Sequence, residues 1–193
     1  MNQRNLLEVD WSKIPAPTDD GGATHLKGMT IPPVSLRATD DTSVTLSALR
    51  GRTVVFGYPR TGEPGKIALV DDWDMIPGAR GCTPQTCAFR DLFAELKAAG
   101  TSHVFGLSTQ SNDYQTEMAS RLHLPFPVLS DEKLELTRAL NLPTMEVAGL
   151  TLIKRLALIL DDAKITHVFY PVFPPDRNAG DVLHWLKDHP VKA

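Results

Sequence analysis

Both cysteines of the 193-residue chain lie in one stretch, Gly81-Cys82-Thr83-Pro84-Gln85-Thr86-Cys87-Ala88-Phe89-Arg90-Asp91. Thr83 is a favoured helix N-cap and Pro84 suits a first helical position, so the pattern predicts a helix that begins here and ends near residues 99–100. Cys82 then lies at the helix N-terminus, where partial positive charge stabilises a thiolate, the reactive form of cysteine. We therefore expect a reactive thiol at Cys82.

The helical wheel places the second cysteine away from the core. Phe89, Leu92, Phe93 and Leu96 form one apolar stripe, and at roughly 100° per residue Cys87 points to the opposite side of the helix. A buried structural role for Cys87, as a small hydrophobic residue, is the alternative. On a regular helix the two cysteines are roughly 140° apart around the axis and about 7.5 Å apart along it, which does not fit a disulfide. We expect a disulfide between them to require local unwinding.

Strand and helix patterns alternate along the rest of the chain. A β-branched and aromatic run predicts a buried strand at residues 53–58. Further strands are predicted at residues 44–46, 103–108, 126–129, 150–160 and 165–169, and further helices at residues 112–122, 131–140 and 176–189. This order predicts an α/β fold in which helices flank a central sheet, and a turn at residues 161–164 predicts an antiparallel hairpin, so that the sheet is mixed.

The length of the chain favours a single domain over residues 1–193. Residues 1–30 are rich in Asp, Gly and Pro, and we expect them to form an irregular N-terminal extension on the surface. Residues 60–78, called the insertion below, form a second irregular segment, which leads into Cys82. Loops of this length are uncommon and are often functional.

Composition excludes several classes of function. The net charge of −3 and the lack of a basic run argue against nucleic acid as a partner. No window approaches the roughly 20 apolar residues of a membrane span, and the N-terminus lacks the apolar segment of a signal peptide. Two cysteines are too few for a disulfide scaffold, so we expect a cytoplasmic protein with reduced thiols that acts on small molecules or other proteins.

The sequence predicts no metal site and no cofactor. Two cysteines supply half of a tetrahedral site, and His184 and His189 are five residues apart rather than at a four-residue ligand spacing. The pair Gly65-Lys66 lacks the spacing of a phosphate-binding loop.

A series of ordered pieces resembles the peroxiredoxin family, most closely its bacterioferritin-comigratory or PrxQ group, which has a thioredoxin-like fold. The pieces are residues 33–36, 44–51, 54–59, 81–83, 87–91 and 126–131, together with Arg155 six residues before Asp161. Each piece is weak alone, but their order along most of the chain is specific.

The resemblance implies a thiol-dependent peroxidase acting on hydrogen peroxide and organic hydroperoxides. Cys82 would be the peroxidatic cysteine, which is oxidised to a sulfenic acid, and Cys87 the resolving cysteine, which condenses with it to a disulfide. In such enzymes thioredoxin or glutaredoxin then reduces the disulfide. Arg155 falls where the family keeps an active-site arginine; an arginine on an exposed strand face is the alternative.

Three further residues are candidates for substrate binding. Pro59 corresponds to a family proline of the active site, and Gly81 and Thr83 flank Cys82, where the backbone N–H groups of the helix start and the Thr83 hydroxyl can donate to peroxide oxygens. Whether the chain is a monomer or a homodimer stays open.

The chain departs from the family in two places. Ala79 stands where family members carry a threonine, and the insertion separates Pro59 from Cys82. These departures keep open a second reading, a thioredoxin-fold redox-sensing or partner-binding module without efficient peroxide turnover. A thiol–disulfide oxidoreductase is disfavoured, because that chemistry uses cysteines separated by two residues.

Overall fold

The computed structural model describes residues 9–191 and arranges them around a seven-stranded sheet. The strands, including a separate pair, are β1 (Ser35–Ala38), β2 (Ser43–Thr45), β3 (Arg52–Gly57), β4 (Thr101–Ser108), β5 (Val128–Ser130), β6 (Thr144–Val147), β7 (Leu150–Ile153), β8 (Leu156–Asp161) and β9 (Lys164–Phe169). The helices are α1 (Cys82–Asp91), α2 (Phe93–Ala98), α3 (Asn112–Arg121), α4 (Glu135–Leu140) and α5 (Asn178–Asp188). Short 3-10 turns occur at Trp11–Lys13, Leu46–Ala48, Trp73–Met75 and Pro175–Arg177. Within the described part of the chain, no helix is both long and apolar enough to cross a membrane.

The large sheet has the strand order β2-β1-β5-β4-β3-β8-β9, and β6 and β7 form a separate antiparallel pair. The central strands β3, β4 and β5 are parallel, whereas β8 and β9 run antiparallel to their neighbours. Asp162 and Ala163 join β8 to β9 in a tight turn, both with positive φ. The predicted mixed sheet and its hairpin are confirmed.

Strand β3 lies inside the sheet, and all six of its residues are buried. Successive side chains of a strand point to opposite faces, and here Val55 packs in one apolar cluster while Val54 and Phe56 pack in another. A strand that is covered on both faces has a continuous apolar sequence. This explains why residues 53–58 give a clear strand signal.

Helix α1 is attached to the sheet by an aromatic contact. Phe89 stacks on Phe56 of β3 with the ring centroids 4.1 Å apart, and Phe126 meets Phe56 edge-on at 5.6 Å. Met118 of α3 and Leu186 of α5 are buried in the same cluster. The helix that carries both cysteines is therefore held against a central strand.

The N-terminal segment contributes to the core on the other face of the sheet. Residues 9–28 are mostly irregular, with a 3-10 turn and a run of turns at residues 22–28, yet Leu26 is fully buried and Ile31 nearly so. The backbone N–H of Ile31 donates to the carbonyl of Ala163 at 2.8 Å, which ties the segment to the β8–β9 hairpin. Residues 9–30 are mostly exposed or half-buried, as a surface extension would be, but Ala23 and Leu26 are buried and anchor it in the core; residues 1–8 lie outside the described residues.

Two predicted elements are interrupted. The helix expected to reach residues 99–100 breaks at Leu92, where φ is −99° and ψ is 11°, so that α1 and α2 are separate. The strand expected at residues 150–160 breaks between Ile153 and Leu156, and its two halves belong to different sheets. The short strands β1 and β6 are absent from the predicted elements. The break before Leu156 determines the position of Arg155, which lies between the two strands.

We predict that Phe89→Ala lowers the free energy of unfolding by about 3–5 kcal/mol, because it removes a fully buried ring stacked on Phe56. Urea denaturation followed by circular dichroism measures the loss. Leu150→Ala is the control, since Leu150 is 42% exposed. Equal losses in the two variants would show that the stack does not anchor α1.

Candidate active site

Cys82 is the first residue of α1 and is only 3% exposed. The N-cap is Gly81, with φ of 103°, and its carbonyl accepts from the N–H of Gln85 at 3.0 Å. The predicted N-cap at Thr83 and first helical position at Pro84 are therefore wrong by two residues. Pro84 is tolerated as the third helical residue because the first N–H groups of a helix have no partner within it. The expected location of Cys82 at the helix N-terminus is confirmed.

Gly81 occupies a position that no other residue fits. Its φ lies in the left-handed region, and a Cβ here would lie 2.6 Å from Cη2 of Trp11 and 2.7 Å from Cγ of Pro175. The indole N–H of Trp11 in turn donates to Asp176 at 2.8 Å. The N-terminal segment and the turn before α5 therefore pack directly on the start of the cysteine helix.

Arg155 lies between β7 and β8 and is 2% exposed, so the exposed-face alternative is wrong. Its Nη2 lies 3.1 Å from Sγ of Cys82 and 3.1–3.3 Å from the carbonyl oxygens of residues 78–80. Among residues 9–191, no carboxylate forms an ion pair with this guanidinium. The break in the predicted strand thus places an unneutralised buried cation beside the sulfur, where it stabilises a thiolate.

Two buried residues that the sequence did not single out hold Arg155 in place. Its Nη1 donates to Oε1 of Gln85, and Nε2 of Gln85 donates to Oδ1 of Asn178 at 2.9 Å. Gln85 follows Cys82 by three residues on the same helix, and that spacing brings two side chains to one face. The three-residue spacing from Cys82 could have identified Gln85 from the sequence. The residues around Asn178 in the sequence give no such indication.

Cys87 lies in the middle of α1, is 7% exposed and belongs to the apolar cluster under the helix. The prediction that it lies outside the core is wrong, and the alternative of a buried cysteine is correct for its packing. Burial raises the pKa of the Cys87 thiol; Asp91 adds to the rise, and Arg90 and Arg121 oppose it. Met118 of α3 and Leu122 belong to the same apolar cluster, so residues distant in sequence contribute to the burial of Cys87. Both thiols are free.

Ala79 supplies a backbone acceptor at the site. Its carbonyl lies 3.5 Å from Sγ of Cys82, close enough to accept from the protonated thiol. Its methyl group packs with Trp73, Val147 and Leu152, a set called the wall cluster below. The wall cluster joins the insertion to the β6–β7 pair. Residue 79 therefore contacts the thiol through its backbone and the insertion through its side chain.

A cavity of about 390 Å³ opens over Cys82. Its lining comprises Arg60, Thr61, Gly62, Lys66, Ile67, Ala68, Leu69, Trp73, Arg80, Gly81, Cys82, Thr83, Pro84 and Tyr114. Two of the predicted substrate-binding residues, Gly81 and Thr83, lie in this lining. The third, Pro59, does not; its carbonyl accepts from the Ser108 hydroxyl at 3.1 Å. The insertion supplies much of the remaining wall.

The start of the insertion is fixed by hydrogen bonds to Gln110, in the turn after β4, and to Tyr114 of α3. The N–H and hydroxyl of Thr61 donate to Oε1 of Gln110 at 2.9 and 3.1 Å. The Tyr114 hydroxyl donates to the carbonyl of Thr61 at 3.1 Å. These bonds hold Thr61 and Tyr114, two residues of the cavity lining, in fixed positions.

Tyr58 places a buried hydroxyl near the reactive sulfur. It finds no hydrogen-bond partner among the described residues, and burial, with a smaller contribution from the charge of Cys82, raises the pKa of Tyr58 well above its ordinary value. The phenol therefore stays neutral and cannot compete with Cys82 as a nucleophile. In the part of the chain from residue 9 to 191, no three His, Cys, Asp or Glu side chains form a cluster suited to a metal ion.

Comparison with known proteins identifies the family of the chain. A family model described as Redoxin matches residues 26–183. Peroxiredoxin Bcp of Escherichia coli strain K12 is 32% identical over 163 residues, which are 82% of this chain and 93% of that protein. Chloroplastic peroxiredoxin Q of Sedum lineare is 31% identical over 163 residues, 83% of this chain and 77% of that protein. The chain belongs to the redoxin family, in its peroxiredoxin Q/Bcp group.

Solved structures show the same architecture for this peroxiredoxin. Peroxidoxin BcpB of Mycobacterium tuberculosis superposes with a TM-score of 0.68 at 27% identity, covering 86% of this chain and all (100%) of that one. A Xanthomonas campestris peroxiredoxin Q gives a TM-score of 0.67 at 24% identity, with coverage of 86% and 97%. The thioredoxin-like fold expected from the sequence resemblance is confirmed.

We predict that Gln85→Leu slows the alkylation of Cys82 by iodoacetamide at pH 7 about tenfold, because Arg155 loses a buried acceptor that holds it beside the sulfur. The rate is measured by mass spectrometry in a Cys87→Ser background, which leaves a single thiol. Gln115→Leu is the matched control, since Gln115 is also fully buried but bonds to the carbonyls of Ser108 and Leu129. An equal loss in the control would mean that Gln85 acts only through folding.

Proposed function

We propose that this peroxiredoxin reduces hydrogen peroxide and organic hydroperoxides through Cys82. The observation that carries the proposal is the 3.1 Å contact between the Arg155 guanidinium and Sγ of Cys82, at a helix N-terminus that opens on a cavity. A cation and a helix dipole both favour the thiolate, and the cavity admits a small molecule to the sulfur.

The first step is a two-electron oxidation of the sulfur. The Cys82 thiolate attacks one oxygen of the peroxide, the O–O bond breaks, and the sulfur becomes a sulfenic acid. The other oxygen leaves as an alkoxide or hydroxide and takes up a proton to give an alcohol or water. Negative charge moves from sulfur to oxygen along the way, so donors that hold both atoms accelerate the step.

Arg155, the N–H groups at the start of α1 and the hydroxyl of Thr83 are the candidate donors. Only contacts that strengthen in the transition state raise the rate, and a guanidinium already positioned in a buried site costs no reorganisation. Removing one such donor typically costs about 100- to 1,000-fold in rate. Gln85 and Asn178 act as positioning residues, since they hold Arg155 and do not touch the sulfur.

Cys87 is the proposed resolving cysteine. Its thiol attacks the Cys82 sulfenic acid, a disulfide forms, and water leaves. Both residues lie in the regular part of α1, where a rise of about 1.5 Å per residue keeps them too far apart for a disulfide. The first turn of α1 must therefore open before the bond forms.

An external dithiol completes the cycle. Thioredoxin or glutaredoxin is the proposed donor: one thiol attacks the disulfide, the second releases it, and both cysteines return to the reduced state. A cytoplasmic location suits a chain whose two thiols are free. The oligomeric state, monomer or homodimer, does not enter these steps, because every residue used lies in one chain.

A second candidate is a redox-sensing module of the same fold. The alanine at position 79 favours it, because the side chain cannot donate to a peroxide oxygen. The carbonyl of Ala79 and the Arg155 guanidinium still surround the sulfur, which supports turnover. The measured rate separates the two candidates.

We predict that one equivalent of hydrogen peroxide rapidly removes both thiols and lowers the mass of the reduced protein by about 2 Da, as expected for a disulfide. Cys82→Ser is expected to abolish the reaction, and Cys87→Ser to stop it at a sulfenic acid. Intact-mass spectrometry and thiol titration over time follow the change. Oxidation of Cys82 no faster than that of a free thiol would favour the sensing module.

We predict that disulfide formation, measured in rapid-quench experiments, accelerates as the pH rises from 7 to 9. Burial raises the pKa of Cys87, so its thiolate is scarce at neutral pH and increases roughly tenfold per pH unit below that pKa. The sulfenic acid formed in Cys87→Ser serves as the control, since it has no partner for resolution. A rate that does not change over this interval would contradict Cys87 as the attacking thiolate.

A further inference from the structure

We infer that the cavity over Cys82 selects organic hydroperoxides that carry an anionic group, and that Arg60 is the residue that recognises this group. The inference rests on the proposed peroxidase function and adds a substrate class to it. It is argued from the size of the cavity, the chemistry of its wall and the pairing of its charges.

The cavity is much larger than hydrogen peroxide requires. Its volume is about 390 Å³, whereas a water molecule in the liquid takes about 30 Å³ and hydrogen peroxide has one oxygen more. Small-molecule sites typically occupy about 300–1,000 Å³. The space therefore suits an organic hydroperoxide with several carbon atoms beyond the O–O group.

One side of the cavity is apolar and belongs to the insertion. Ile67, Ala68, Leu69 and Trp73 line it, and Trp73 is anchored in the wall cluster. Ile67 is 96% exposed, which leaves an apolar side chain uncovered at the cavity. Such a surface is stabilised when a hydrocarbon body covers it.

The charged residues of the lining are all cations: Arg60, Lys66 and Arg80. Two of them are paired, Lys66 with Glu63 and Arg80 with Asp74, the latter at 3.6 Å. No carboxylate of the described residues forms an ion pair with Arg60, whose guanidinium instead lies 4.9 Å from the centroid of the Tyr114 ring. Arg60 is thus the lining cation whose charge is left for a ligand.

The stacked arrangement suits Arg60 for recognition. The Tyr114 ring holds the guanidinium plane through a cation–π contact, and the Tyr114 hydroxyl is fixed by the Thr61 carbonyl. A guanidinium held in this way keeps its N–H groups for a carboxylate and loses little freedom on binding. A substrate would place its peroxide at Cys82, its carbon body along the apolar wall and its anion at Arg60.

The test compares two hydroperoxides that differ in charge and by one methyl group: the hydroperoxide of para-isopropylbenzoic acid and its methyl ester. With hydrogen peroxide as the reference, kcat/KM for each is measured at low ionic strength with a dithiol donor. We expect the acid to exceed the ester about fivefold in the wild-type protein, the size of a good surface ion pair, and the ratio to fall with added salt. In Arg60→Gln the ratio is expected to approach one.

Arg138→Gln is the matched control, because Arg138 is exposed on α4 and does not line the cavity. Isothermal titration of reduced protein with para-isopropylbenzoate itself, which lacks the O–O bond, gives a readout independent of turnover, and Arg60→Gln is expected to weaken this binding. Equal rates for acid and ester in the wild-type protein, or an equal loss of preference in Arg138→Gln, would overturn the inference while leaving the peroxidase intact. If the protein consumed none of the three peroxides, the proposed peroxidase function would be overturned, together with the substrate selection that rests on it.

Discussion

The contact between the Arg155 guanidinium and the Cys82 sulfur is the interaction that the rest of this peroxiredoxin positions. Three separate parts of the chain meet there: the first turn of α1, residues 78–80 between the insertion and that helix, and the junction between β7 and β8. The aromatic stack beneath α1 fixes the helix, and the change of sheet between β7 and β8 brings the arginine inward. The buried amides of Gln85 and Asn178 then limit the movement of the guanidinium.

The insertion reshapes the surroundings of this contact without displacing it. Its wall cluster packs on the methyl group of Ala79, so a threonine at this position would bury a hydroxyl among apolar side chains at a cost of roughly 1–3 kcal/mol. The Ala79 carbonyl, which every residue type provides, still faces the thiol and the guanidinium. The absence of the threonine hydroxyl at residue 79 and the presence of an apolar wall both follow from the packing of the insertion against the Ala79 methyl group.

Local patterns in the sequence were enough to predict the features that local physics determines. The buried strand at residues 53–58, the β8–β9 hairpin and the position of Cys82 at a helix start follow from side-chain type and turn chemistry. The helix starts two residues earlier than the local pattern predicts, at a glycine N-cap whose lack of a side chain is required by Trp11 and Pro175, which are distant in sequence. The burial of Cys87 likewise depends on an apolar cluster whose members are distant in sequence. Only the family resemblance indicates Arg155, because residues 150–160 have the local pattern of one continuous strand.

The charge balance around Arg155 changes during the proposed cycle. Its partners among the described residues are neutral oxygens and the Cys82 sulfur, so the thiolate required by the proposed mechanism would be its sole counter-ion there. Oxidation converts that thiolate to a neutral sulfenic acid and leaves a cation in the interior, where an uncompensated charge costs several kcal/mol. In the proposed cycle, oxidation therefore removes the electrostatic attraction between Arg155 and the first residue of α1. Opening of the first turn of α1 would let water reach the guanidinium and relieve this cost. Oxidation of the sulfur would therefore itself favour the opening that disulfide formation requires.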